Sequence, residues 1–425
     1  MKRREFLQCG AALSPLALTG IPVLGASVPE TGKKDPPFRF DQPFDGAIVH
    51  ERYGDPVSDL VLDPGGSIKL KIAISGQIPG AGLQVELINA KEPQKKLPVK
   101  INGTRFTSEA ILSDTQTEFI ATLLDSQKAK KGTIRTRVIW IKNSYPRYRF
   151  QVDDNIFFLQ DIAKKKYKTL MDSPYLKKWN QFHNRFGTKV VLNLFYSTPK
   201  NDFDLSKFPD TYKEEWQANA HWLKLAFHAR SEFPDHPFLN IGPDQLLKDM
   251  DQIENEIARF AGPESYTRTD LLHWGSIRPE NLKVLIGKGF KTLSGSNWPI
   301  RFKNGEYLDK YQVPASAIPY FEENDSWYNY ENGLLFGKID LCCNRVPLDQ
   351  TLDVLRKSYY DKRQKEVMNL GTHEQYFWPF YKNYMKDHWD RVELVLRFML
   401  EHNYQPILPE EDPWNALVLE LRKKK

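Results

Sequence analysis

The chain has 425 residues, 40% of them hydrophobic and 27% charged, with a net charge of +6. At roughly 100–200 residues per domain this is enough for two or three folded units, and the mixed charge excludes disorder over most of the chain. The positive charges are scattered apart from Arg422 to Lys425, read as a frayed end, and no nucleic-acid motif is present, so nucleic acid is not an expected partner.

The N-terminus reads Arg3-Arg4-x-Phe6-Leu7, a twin-arginine export pattern, followed by an apolar stretch from Cys9 to Leu24 and the small residues Gly25-Ala26-Ser27. Basic, apolar and small-residue segments follow in the order a signal peptide requires. Residues 1–27 are therefore expected to be a twin-arginine signal peptide, with the mature protein periplasmic or secreted. The apolar stretch is short and broken by Pro15, Gly20 and Pro22, so no stable membrane span is expected. Past it, the cysteines are Cys342 and Cys343; adjacent cysteines bridge poorly, and both read as small residues buried in a strand.

Residues 28–45 are rich in Pro, Lys, Asp and Gly and read as a linker. From 46 to 144 the pattern is short strands: Ile68, Leu70, Ile72 and Ile74 alternate with polar neighbours, and 83–87, 119–124 and 134–141 repeat the theme between Gly, Pro and Asn turns. This predicts a small all-β sandwich domain. From 145 to 405 strand-like runs alternate with amphipathic helices. The predicted strands are Arg147–Asp153, Lys189–Tyr196, His221–His228, Thr269–His273, Phe290–Leu293, Leu334–Leu341 and Glu366–Thr372. Ser173-Pro174 opens one helix and Gly187 stops it; 246–260 and 389–399 are two more. The fold class is α/β: a (β/α) barrel of about seven strands after the β-sandwich, with 406–425 as a C-terminal tail. Aromatic clusters at Trp327, Tyr328 and Tyr330, and from Tyr376 to Tyr384, are either core or platforms for sugar rings, the first placed in a loop.

In such barrels the chemistry sits where strands end. Here the strand ends deliver Asp153-Asp154, His228 with Arg230 and Glu232 behind it, His273-Trp274, and His373-Glu374. Histidine and carboxylate together bind a divalent metal such as zinc. Metal-activated water is a nucleophile near neutral pH, a carboxylate can take its proton, and a histidine can supply one to the leaving group.

At these residues the chain resembles the polysaccharide deacetylase superfamily over about 145–405. The phrases that carry the resemblance are Asp153-Asp154-Asn155, Phe227-His228-Ala229-Arg230, Phe233-Pro234-Asp235, His273-Trp274-Gly275 and His373-Glu374-Gln375-Tyr376-Phe377. The resemblance implies Asp153 as base, His373 as acid, and Asp154 and His228 as metal ligands. Glu232 stands where the family has a second histidine, so Glu232 or His273 completes the set. Arg230, Trp274, Glu374 and Tyr376 are candidates for substrate contact. The implied activity is removal of acyl groups from a glycan or amino sugar with a divalent metal, zinc by preference. Two other readings stand beside it: a metal-free glycosidase pairing Asp153 or Asp154 with Glu374, and a non-catalytic glycan-binding protein on the same barrel. Oligomeric state is not legible.

Overall fold

The computed structural model describes residues 38–51, 60–62, 66, 68–268, 270–295, 300–301, 307–308, 311 and 313–423. The expected signal peptide, residues 1–27, lies outside the described residues, as do residues 28–37, Thr269 and Lys424-Lys425. The fold is mixed α/β. The alternating runs become antiparallel strands at Ile68–Gln77, Gln84–Asn89, Arg105–Leu112, Gln116–Leu124 and Lys130–Ile141. Ile68–Gln77 and Arg105–Leu112 belong to one sheet; Gln84–Asn89, Gln116–Leu124 and Lys130–Ile141 belong to another. The two meet across a single apolar cluster that includes Leu70, Ile74, Phe106, Leu87, Phe119 and Trp140.

Three boundaries differ from the sequence reading. Residues 39–42, assigned to the linker, form a strand paired with Ile68–Gln77, and Asp45 holds Arg137 at 2.6 Å. The second sheet does not stop at 144. Ala47–His50 pairs in parallel with Lys130–Ile141 and, on its other side, with Ser326–Asn329, which continues through Leu334–Lys338 to Thr292–Gly295. One eight-stranded sheet thus joins both parts of the chain. The same pairing corrects the loop reading of Trp327 and Tyr328, which are 6% and 1% exposed inside that sheet. Third, the tail forms a helix, Pro413–Lys423, that buries Trp414, Leu417, Val418 and Leu421. Its Arg422, expected to fray, donates to the carbonyls of Gly333 and Phe290.

Gly46 stands where the two parts join. Its φ is +85°, its N–H donates to Arg137 O and its carbonyl accepts from Tyr328 N–H. A Cβ there would sit 2.0 Å from Tyr328 O. Gly46→Ala combines strained backbone with a backbone clash and is expected to cost about 2–4 kcal/mol. A urea midpoint equal to that of the parent protein would show that the junction is looser than this geometry.

A third, parallel sheet runs in the order Leu223–Ala229, Val190–Phe195, Arg147–Asn155, Val367–His373, Leu341–Cys342, with Gln405–Pro406 also paired to Arg147–Asn155. Arg147–Asn155 is buried at every position. Its Tyr148, Phe150 and Val152 join the main core, where Phe150 packs on Trp179 of the Pro174–Phe186 helix. Gly187, at φ +69°, ends that helix as its position predicts. The other face of the strand is polar. Arg149 bonds Asn369 and Ser294 and pairs with Asp270; Gln151 bonds Asp270 and accepts from Asn193. Every buried charge there has a partner, as burial demands.

The predicted strand Thr269–His273 is not a strand among its described residues. His228 Nδ1 takes the carbonyl of Leu271, and the Tyr311 hydroxyl takes the N–H of Leu272. Side chains occupy the groups a ladder would use, and His273–Gly275 closes as a short 3-10 turn. Its neighbours still touch strands on both sides: Tyr266 bridges Leu225 in parallel, and Ser294 N–H donates to Asp270 O.

Candidate metal centre

A regular strand sends consecutive side chains to opposite faces, so Asp153 and Asp154 would normally diverge. The register shows why they do not. Val152 faces Leu192 but Asn155 faces Leu194, so two aspartates stand opposite one residue in a bulge. Asp154 has φ +62°, a left-handed conformation that aspartate tolerates better than most residues. A second irregularity follows in the next pair: Leu194 faces Phe227 and Phe195 faces Ala229, which makes His228 the extra residue. Trp274, at φ +65°, turns the chain after His273. Three departures from regular backbone therefore sit at three candidate ligands, a pattern found where side chains are re-aimed for function.

The result is a tight group. His228 Nε2 lies 3.1 Å from Asp154 Oδ1, His273 Nδ1 lies 3.2 Å from the same oxygen, and the two nitrogens are 3.3 Å apart. One ligand atom from each of Asp154, His228 and His273 falls within 4.8 Å of the others, and all three residues are buried. The far nitrogens decide the tautomers. His228 Nδ1 is 3.2 Å from Leu271 O, and His273 Nε2 is 3.2 Å from Glu232 O. A carbonyl only accepts, so both far nitrogens donate, and in the neutral rings the two inner nitrogens carry lone pairs. A carboxylate oxygen and two lone pairs then face one another, an arrangement that needs a positive charge among them.

The electrostatics agree. Burial alone would raise the Asp154 carboxyl, but the bonds to His228 and His273 hold it well below the ordinary carboxylate range. Burial would lower His273, and the bond to Asp154 outweighs it, so His273 is raised. Without a cation, a proton occupies the group; a metal would displace it. Phe195, at the end of its strand, packs against both rings, 5.5 Å from His228 and 5.0 Å from His273.

The other predicted residues fall into place around this group. Asp153 Oδ1 accepts from Asn193 Nδ2 at 2.7 Å. His373 Nε2 is 4.0 Å from Asp154 Oδ2, and burial lowers its pKa. Glu232 is not in the inner group. Its carboxylate accepts from Gln375 Nε2 at 2.6 Å, and burial, with the Asp154 charge next, pushes it up to about 8. Tyr376 lies beside His373, with ring centroids 6.2 Å apart. Trp274 packs on His236 at 4.5 Å and adjoins His273.

Two of the candidates for substrate contact are otherwise engaged. Arg230 reaches back to the Pro243–Phe260 helix, donating to Gln252 at 2.9 Å and lying 3.7 Å from Asp249. Glu374 is fully buried. Its carboxylate accepts the N–H groups of Ile156, Phe157 and Phe158 at 2.5–2.9 Å and the indole N–H of Trp378 at 2.9 Å. It caps the Phe157–Lys165 helix, and its oxygens are taken, which removes the carboxylate that the glycosidase reading required. Asn193, Phe195, Asn344 and Gln375 were not singled out in the sequence; each is an ordinary polar or core residue until the fold sets it beside the site.

No protein-family model matches the chain, and no curated protein does. Among solved structures the chain is similar to the 4-alpha-glucanotransferase of Thermococcus litoralis, 13% identical with a TM-score of 0.40 over 63% of this chain. The chain spans 40% of that enzyme's length. It is also similar to a polysaccharide deacetylase from Bacillus cereus, 8% identical with a TM-score of 0.24, covering 63% of this chain and 90% of that one. These likenesses are distant, and both neighbours are enzymes that act on carbohydrate.

Proposed function

We propose that the chain is an exported hydrolase that removes acyl groups from a glycan or amino sugar, using a divalent cation held by Asp154, His228 and His273. The observation that carries this reading is the convergence of Asp154 Oδ1, His228 Nε2 and His273 Nδ1 with both outer nitrogens tied to backbone carbonyls. Two imidazoles fixed in this way and one carboxylate are a zinc donor set, with the outer hydrogen bonds setting the tautomer. Such a cation, when bound, polarises a carbonyl and makes water acidic. Asp153 keeps Oδ2 to take a proton while Asn193 holds Oδ1, and His373 Nε2, bare in the neutral ring, is the atom placed to pass a proton to the departing group once the ring is protonated. His273 thus fills the position left open between itself and Glu232.

The strand arrangement supports a (β/α) barrel of about seven strands. Arg149, on a central strand, reaches side chains of both Thr292–Gly295 and Val367–His373. Export to the periplasm by the twin-arginine route rests on Arg3-Arg4-x-Phe6-Leu7 and the apolar run behind it. Metal content of the purified protein, by mass spectrometry, tests the central claim. About one equivalent of zinc or another divalent ion is expected, and none in the Asp154→Ala, His228→Ala double variant. A parent protein that binds no metal after incubation with excess zinc rejects the reading.

A further inference from the structure

Asn344 lies just past the Leu341–Cys342 strand, next to the end of Val367–His373. Its Oδ1 is 3.0 Å from His373 Nδ1, 3.0 Å from Cys342 Sγ and 3.3 Å from Thr372 Oγ1. An amide oxygen only accepts, so all three neighbours donate to it. His373 then carries its proton on Nδ1, and in the neutral ring Nε2, on the Asp154 side, is bare.

The row continues behind Thr372. His388 Nε2 is 2.7 Å from Thr372 Oγ1. The Thr372 hydroxyl has given its proton to Asn344, so its oxygen accepts from His388 Nε2–H. That leaves His388 Nδ1 as a lone pair. Among the described residues this buried nitrogen has no hydrogen-bond partner, and a lone pair is the form that least needs one. The row has one direction: His388 donates to Thr372, and Thr372, Cys342 and His373 donate to Asn344 Oδ1.

We propose that Asn344 is a positioning residue that, through its amide oxygen, fixes the proton of His373 on Nδ1 and so presents Nε2, bare in the neutral ring, on the Asp154 side of the site. What that nitrogen does rests on the hydrolase reading above. The tautomer does not, and it is measured without substrate or metal.

The test uses the full chain labelled with ring-15N histidine, the His373 signal being identified by its loss in His373→Gln. The parent protein is expected to show His373 in the Nδ1–H form. Asn344→Asp keeps an acceptor and should keep that form; Tyr376→Phe should keep it too. Asn344→Ala should lose it in favour of the Nε2–H form. If the alanine variant does not fold, Asn344→Leu, close in shape and without polar atoms, replaces it and should lose the form likewise. An unchanged tautomer in the Ala or Leu variant, or its loss in Asn344→Asp, overturns the proposal. Metal content in these variants is expected to match the parent, since Asn344 touches none of the three ligands, so failure here is distinguishable from failure of the metal reading.

Discussion

Glu374→Ala is expected to cost about 3–5 kcal/mol of folding stability, as large as breaking a buried ion pair. The side chain is fully buried and accepts four hydrogen bonds, three from the first turn of the Phe157–Lys165 helix and one from Trp378. Alanine leaves those donors buried without partners at about 1–3 kcal/mol each, partly relieved if water enters the cavity. Burial pushes Glu374 up to about 7, so above that pH alanine also removes a negative charge from a helix N-terminus that has no acidic residue in its own first turn. Glu374→Gln keeps one accepting oxygen and should cost less than half as much. Urea denaturation of the metal-free proteins measures both. An alanine variant within about 0.5 kcal/mol of the parent, the range of an ordinary surface substitution, would mean that the carboxylate is not the helix cap the structure shows.

The stability that Asp340 contributes is expected to fall as pH rises from about 4 to about 6 and to level off above that. Burial pushes Asp340 up to about 6, against the pull of Lys338, the Asn369 N–H, Ser358 and Arg149. Burial also raises Asp325, with the Asp340 charge as the next cause. In the unfolded chain both titrate near the ordinary aspartate value of about 3.9. The folded state therefore holds protons that the unfolded state has released. This stabilisation is complete below the unfolded pKa and is lost as pH rises through the folded one. For Asp340, the gap between the folded and unfolded values corresponds to roughly 3 kcal/mol. Asp154 works in the opposite sense: its lowered pKa gives stability above the unfolded value that is lost on acidification. Urea midpoints of the metal-free protein should thus peak near about pH 4 and decline toward about pH 6, and Asp340→Asn should flatten that decline. A variant as steep as the parent would place the responsible proton elsewhere.

The residues of the candidate site are more legible in the sequence than their surroundings. Asp153, Asp154, His228 and His373 could be found because each follows a run of apolar or alternating residues, and strand ends are local patterns. His273 was found for the wrong local reason, since its segment is a short turn rather than a strand. What makes the group converge, two register irregularities and a left-handed Asp154, leaves no mark in side-chain periodicity. Glu374 misled because three of its four partners are more than 200 residues away: a carboxylate after a histidine at a strand end looks like active-site chemistry until the helix it caps is brought beside it. Trp327 and Tyr328, read as part of a loop, lie in a short strand, and Asn324-Asp325 and Asn332-Gly333 bracket that strand and its hairpin. Asn344 offered no signal at all, being a polar residue just past a strand.

The shared eight-stranded sheet also constrains the order in which the protein can be completed. Ala47–His50 has Lys130–Ile141 on one side and Ser326–Asn329 on the other. As the chain is synthesised, the first neighbour arrives early and the second only when residue 326 emerges. Until then the growing chain carries an open strand edge of mostly apolar residues, the kind of edge that recruits other chains. A fragment cut at residue 144 would keep that edge permanently, so its tendency to self-associate, and the loss of that tendency in the full chain, belong to the same row of unpaired backbone groups.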